Sequence, residues 1–212
     1  MSDGHVSEAA PLARSPIRPP APVEVRSGWE ISVLRSHAPL RLCDRSPVAK
    51  VLVRAGPHGR VAGRLGVPFG RACRDEHGTL VVGSGPGEWL LLAAPGAAAE
   101  VAARIDTDDD RLVTVLDFTH GRALMRLTGA AADRTLSKIC AIDLSDPVTP
   151  NAAAFRSSVA KLATDVVRDD RDGLPSYLLH CERSSGQYLY DALLDAGREF
   201  GIEPDGFTHP EG

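Results

Sequence analysis

Aromatic residues are scarce in this sequence, 5% of 212 positions, and no apolar run approaches the ~20 residues a membrane-spanning helix needs. The longest, Trp89-Leu90-Leu91-Leu92-Ala93-Ala94, has the length of a buried strand. A basic excess is also missing: 24 Lys and Arg face 28 Asp and Glu, a formal charge of −4. That balance argues against a nucleic-acid binder, which needs a cationic face to neutralise phosphates. Cysteine is sparse, at positions 43, 73, 140 and 181, with no C-x₂-C pair of the kind that marks a zinc ribbon or thioredoxin-like motif. Buried reduced thiols are the favoured reading. A four-cysteine metal site assembled from distant positions and a disulfide stay open, the latter disfavoured in a cytosolic protein. Met1-Ser2-Asp3-Gly4-His5 lacks the basic start and apolar stretch of a signal peptide, so the chain is read as cytoplasmic. What remains is a hydrophobic content of 43%, ordinary for a protein that buries a core.

At about 100–200 residues per domain the length fits one domain with a tail. Residues 1–27 hold five of the sixteen prolines and no periodic apolar pattern, which predicts a disordered Pro-rich tail. An α+β domain follows over 28–205, and 206–212 read as a flexible C-terminus. Residues 28–70 read as irregular strands and turns, with a strand at 48–53 and a turn at Gly56-Pro57-His58-Gly59. Strands at 79–83 and 88–93 flank the turn Ser84-Gly85-Pro86-Gly87. Those glycines resemble a phosphate loop, but a strand follows where a nucleotide site needs a helix. Ala98, Val101, Ala102 and Ile105 have the spacing of a helical face. Strands over 111–118 and 121–128, joined by Thr119-His120, read as a hairpin, with Ala123, Met125 and Leu127 on the buried side. A helix from 130 to 140, strands at 158–168 and 175–181, and a final helix complete the pattern. Ser184 and Gln187 fit a capping box for that last helix; Leu189, Ala192, Leu193, Ala196 and Phe200 line one face, and Gly201 stops it. Paired strands separated by single helices predict helices packed on a largely antiparallel sheet.

Two residues invite a chemical reading. His120 lies near Asp117 and could act as a general base; a turn or interface role is the alternative. Asp143, just past a helix in an otherwise apolar stretch, could carry a proton-transfer job or simply cap its own turn through backbone N–H groups. The Asp108-Asp109-Asp110 and Asp169-Asp170 clusters read as solvated loops. No nucleophile, base and orienting group assemble.

The block Val115-Leu116-Asp117-Phe118-Thr119-His120-Gly121-Arg122 through Arg126-Leu127-Thr128-Gly129 resembles a stretch of the gamma subunits of heterotetrameric sarcosine oxidase. Gly85-Pro86-Gly87-Glu88-Trp89-Leu90-Leu91, Leu136-Ser137-Lys138-Ile139-Cys140-Ala141-Ile142-Asp143-Leu144, Phe155-Arg156-Ser157-Ser158 and Arg183-Ser184-Ser185-Gly186-Gln187-Tyr188-Leu189-Tyr190-Asp191 follow that family's order. Ile139 stands where the family favours Gly, and Ser185-Gly186 where it has Phe-Ala. The resemblance implies a reduced version of the aminomethyltransferase (T-protein) fold of the glycine cleavage system. It implies a non-catalytic subunit with alpha, beta and delta partners, in an enzyme that demethylates sarcosine oxidatively. FAD, FMN, NAD, zinc and tetrahydrofolate would all sit in those partners. Trp89, Phe118, His120, Arg122 and Tyr188 are then expected at interface or framework positions. The alternative is a free-standing folate-binding aminomethyltransferase-like protein with Asp143 as its catalytic carboxylate.

Overall fold

The structure, a computed structural model, describes residues 11–105 and 112–208. The Asp108-Asp109-Asp110 cluster lies outside them.

The chain first builds a small sheet from β1 (Ala13–Arg14), β2 (Val23–Arg26) and β3 (Trp29–Ser32), in the order β1-β3-β2. It lays down β4 (Leu40–Asp44), then leaves to make a separate five-stranded sheet. That sheet holds β5 (Ala49–Arg54), β6 (Ala72–Arg74), β7 (Leu80–Gly85), β8 (Glu88–Ala93) and β9 (Thr114–Asp117), in the order β6-β7-β8-β5-β9. Helices α1 (Arg60–Leu65) and α2 (Ala98–Ala103) fall within this excursion. The chain then returns beside β4 for β10 (Arg122–Gly129), followed by α3 (Ala132–Ser137), β11 (Ala154–Val159), β12 (Leu162–Arg168) and β13 (Ser176–Glu182). Helix α4 (Gly186–Gly197) and β14 (Ile202–Asp205) close a six-stranded sheet ordered β11-β12-β13-β10-β4-β14. Pairing is antiparallel except for β1 on β3 and β14 on β4. An α+β architecture on largely antiparallel sheets is what the alternation of strands and helices predicts.

Three apolar clusters divide the layers. Ala49, Val51, Val53, Val81, Trp89 and Leu91 pack with Val61, Ala98 and Val101 of the short helices on the outer face of the five-stranded sheet. Leu80, Val82, Leu90 and Leu92 meet Leu124, Val167 and Leu178 between the two large sheets. Ala123, Met125, Leu127 and Leu179 meet Leu136, Leu189 and Leu193 of α3 and α4 on the far side. Strand β10 is thus central and buried on both faces, rather than on one.

Several local expectations are corrected. Residues 111–118 and 121–128 do not form a hairpin: β9 pairs with β5, whereas β10 pairs with β13 and β4, so the chain changes sheets at Thr119-His120. The strand expected at 158–168 is a hairpin whose turn, Ala160-Lys161, has positive φ at both positions (49° and 68°). That conformation usually calls for Asn-Gly, so the sequence carries no signal for it. Helix α4 has no side-chain cap, because Gln187 is engaged elsewhere: its Oε1 accepts the Arg18 N–H at 2.7 Å and its Nε2 donates to Asp191. Asp169 is not solvated; its carboxylate pairs with Arg126 at 2.6 Å and also meets Arg74 and Arg171. Cys43, Cys140 and Cys181 are buried free thiols, but Cys73 is exposed.

The described segments nearest the two ends are tied down too. Within the expected Pro-rich tail, residues 11–27 contribute two strands, and Ile17 is fully buried against α4 and β10 residues. Gly186 makes room for this: a Cβ there would lie 2.7 Å from that of Ala123 and 3.1 Å from that of Pro16. At the other end Phe207 is 4% exposed, beneath the Arg45 guanidinium, and its N–H donates to the Ser32 carbonyl.

Candidate functional site at the crossing between sheets

The block singled out in the sequence is the crossing itself. Asp117 Oδ1 accepts the Thr119 N–H at 2.9 Å, bending the chain out of β9. Phe118 N–H donates to the Lys50 carbonyl at 2.7 Å, and Thr119 Oγ1 accepts the Lys50 N–H at 3.1 Å. Gly121 is required by packing, since a Cβ there would stand 2.8 Å from the Phe118 ring. Arg122 then opens β10, its guanidinium 5.6 Å over the Phe118 ring and 3.1 Å from Glu182. His120 stays exposed and stacks on Trp29 of the small sheet, the ring centroids 4.9 Å apart and nearly parallel.

Beneath this turn lies a residue the sequence reading missed. Lys50 is fully buried, and its ammonium donates to the carbonyls of Ser46 (2.8 Å), Val48 (2.9 Å) and Thr119 (3.2 Å). Three acceptors match the three N–H groups of the charged form. Burial pushes its pKa down to about 7, while Asp44 and Asp117 pull it back up. Asp44 is itself raised by burial and accepts hydrogen bonds from the Ser15 hydroxyl and the Ser46 N–H. A lysine inside the apolar run Val48-Ala49-Lys50-Val51-Leu52-Val53 was the available signal. His180, inside Tyr177-Leu178-Leu179-His180-Cys181, was another. It is 4% exposed, neither ring nitrogen has a hydrogen-bond partner, and Asp165 Oδ2 is 3.5 Å away. Burial pushes its pKa down to about 4, against the pull of Asp165.

The structure therefore brings Phe118, His120 and Arg122 together and leaves the other candidates elsewhere. Trp89 is 5% exposed in the outer core of the five-stranded sheet, where its indole N–H donates to the Val67 carbonyl at 2.7 Å. Tyr188 stands on α4, 55% exposed, its hydroxyl donating to the Ala160 carbonyl. Asp143 lies in an exposed loop, where Oδ1 accepts the Ser145 N–H at 2.9 Å. Hydrogen bonding by Ser145, through its side chain first and its N–H second, holds the Asp143 carboxyl below the usual range. Among the described residues, no three His, Cys, Asp or Glu side chains are grouped to hold a metal ion. No described helix is long and apolar enough to cross a membrane.

Known proteins share this architecture. A family model, the GCVT N-terminal domain, matches residues 75–209. The aminomethyltransferase of Geobacillus thermodenitrificans is 27% identical over 203 residues, covering 84% of this chain and 55% of that enzyme. The chain thus spans about half the length of that relative. Sarcosine oxidase subunit gamma of Arthrobacter sp. is 30% identical over 162 residues, covering 71% of this chain and 76% of that subunit. A chain of the heterotetrameric sarcosine oxidase from Corynebacterium sp. U-96 superposes with a TM-score of 0.65 at 24% identity, over 80% of this chain and 89% of that one. The chain accordingly belongs to the GCVT N-terminal domain family and, within it, to the sarcosine oxidase gamma subunits.

Proposed function

We propose that this chain is a non-catalytic structural subunit of a cytoplasmic heterotetrameric sarcosine oxidase. Its partners are the alpha, beta and delta subunits. The reaction of the assembly converts sarcosine, tetrahydrofolate and O2 to glycine, methylene-tetrahydrofolate and H2O2. FAD, FMN, NAD, zinc and tetrahydrofolate belong to the partners. One observation carries the reading: the polar groups of the family-like block are consumed in holding backbone. Asp117 and Thr119 bind main-chain N–H groups, and Lys50 fixes the turn from below. The Asp143 carboxylate is occupied by its own loop. What the block offers outward is the exposed His120 ring supported by Trp29, which, with Tyr188 on α4, suits docking rather than reaction.

The test is co-purification. The tagged chain drawn from native extract is expected to bring down three larger or smaller partners in one yellow complex that releases H2O2 from sarcosine. Recovery of the chain alone, binding tetrahydrofolate tightly and losing it on Asp143→Asn, would establish the free-standing folate protein instead.

A further inference from the structure

The two large sheets do not meet through apolar contact alone. A small cavity lies between them, walled by Phe69, Gly83 and Ser84 on one side and by Asp165, Val167 and His180 on the other. Its volume is about 10 Å³, room for a single water-sized body. Asp165 and His180 stand opposite each other across the β12–β13 ladder and so share a face of the six-stranded sheet. Val167 and Leu178, two residues from each, lie in the core between the sheets, which fixes that face as the inner one.

The charged groups around this cavity are already matched. Arg156 donates to both oxygens of Asp165, from Nε at 2.6 Å and from Nη2 at 3.1 Å. The Ser84 hydroxyl donates to Glu88 at 3.2 Å, and the Glu88 carboxylate pairs with Arg54 at 2.8 Å. His180 is the exception: it is buried, neither ring nitrogen finds a protein partner, and Asp165 Oδ2 stands 3.5 Å from Nδ1. Burial keeps the ring neutral, and a neutral imidazole has one N–H to give and one lone pair to receive with. An anion in the cavity would meet Asp165, a cation would meet Arg156, and an apolar body would leave His180 unmet. The occupant these walls select is neutral, donates as well as accepts, and is no larger than water. A second cavity of the same size, beside Asp44, Tyr190 and Asp205, makes no such demand: each of those side chains is bonded to backbone.

We propose that the cavity at His180 is a binding site for one internal water, held by the imidazole with the Asp165 carboxylate and the Ser84 hydroxyl as its further partners. Three polar side chains are within the two to four that a buried water uses. The water ties β13 to β7 by a polar bridge inside an otherwise apolar layer. The site lies within this chain and does not depend on the subunit reading.

The test begins with the unaltered full chain. Water-to-protein NOE spectroscopy with labelled histidine should give a cross-peak at the His180 ring carrying the sign of a long-lived internal water. The exposed rings of His58 and His77 should show the opposite sign and serve as controls. A crystal structure should show a density peak within hydrogen-bond distance of a His180 ring nitrogen. Val167→Ile adds a methyl group to the cavity wall and should abolish both signals while the ring stays in place. His180→Leu should remove the density peak. An unaltered chain with neither signal, or a peak that survives His180→Leu, would overturn the proposal.

Discussion

Asp117 and Asp143 make the same local structure: each carboxylate accepts the N–H two residues ahead at 2.9 Å. What differs is the ground beneath. The turn after Asp117 is locked to Lys50, Phe118 and Trp29 at the junction of two sheets, whereas the turn after Asp143 stands in exposed loop. An aspartate turn is a common sequence feature; whether it matters depends on the load transferred to it. In this chain the load falls on the crossing, which is why the block reads as framework and the Asp143 loop as surface.

The sharpest way to break that comparison is to remove the pin. Lys50→Met leaves three buried carbonyls without a donor, each worth about 1–3 kcal/mol. A loss of roughly 3 kcal/mol or more is expected, a fall of about 6–12 °C in melting temperature for a domain of this size. An unchanged melting curve would mean the crossing does not depend on Lys50.

Next in size is a pH effect on the same side of the molecule. The folded protein holds His180 neutral down to about pH 4, while an unfolded histidine takes its proton near 6.5. Stability is therefore full above about pH 6.5 and is lost as the pH falls toward about 4, by a few kcal/mol at most. Asp165 faces the ring and opposes the loss; Arg122, Lys50 and Arg156 reinforce it. Chemical denaturation across that window should show the slope, and His180→Leu should flatten it.

Gly121→Ala comes third. The added methyl must displace the Phe118 ring, an overpacking cost of about 1–3 kcal/mol, read as a drop in denaturant midpoint with the slope unchanged. The smallest effects make the comparison directly. Asp117→Ala should cost about 1 kcal/mol through the lost bond to Thr119 N–H, whereas Asp143→Ala should leave the melting temperature within error. Equal effects at the two positions would contradict the difference drawn between them.

Elements with local signals were legible in the sequence. The Ser84-Gly85-Pro86-Gly87 turn connects β7 and β8 as expected, and the stripe of Leu189, Leu193 and Ala196 is the buried face of α4, with Gly201 ending the segment at φ 68°. What escaped depends on partners remote in sequence. β9 and β10 read as a hairpin because they are adjacent, yet their pairing strands lie some 60 residues away on either side. The Pro-rich segment reads as disordered because its anchoring sites, Asp44 for Ser15 and Gly186 for Pro16, come from elsewhere in the chain. Of the candidate site, the contiguous residues Phe118, His120 and Arg122 were found together. Lys50, Trp29 and His180 were not, since only the fold brings them near.

The central claim is that this chain supplies shape and not chemistry, and turnover of the reconstituted assembly tests it most directly. Sarcosine-dependent H2O2 release by an assembly carrying Asp143→Asn should equal that of the unaltered assembly. Loss of turnover by orders of magnitude, with the assembly intact, would place a reacting carboxylate in this chain and contradict the account.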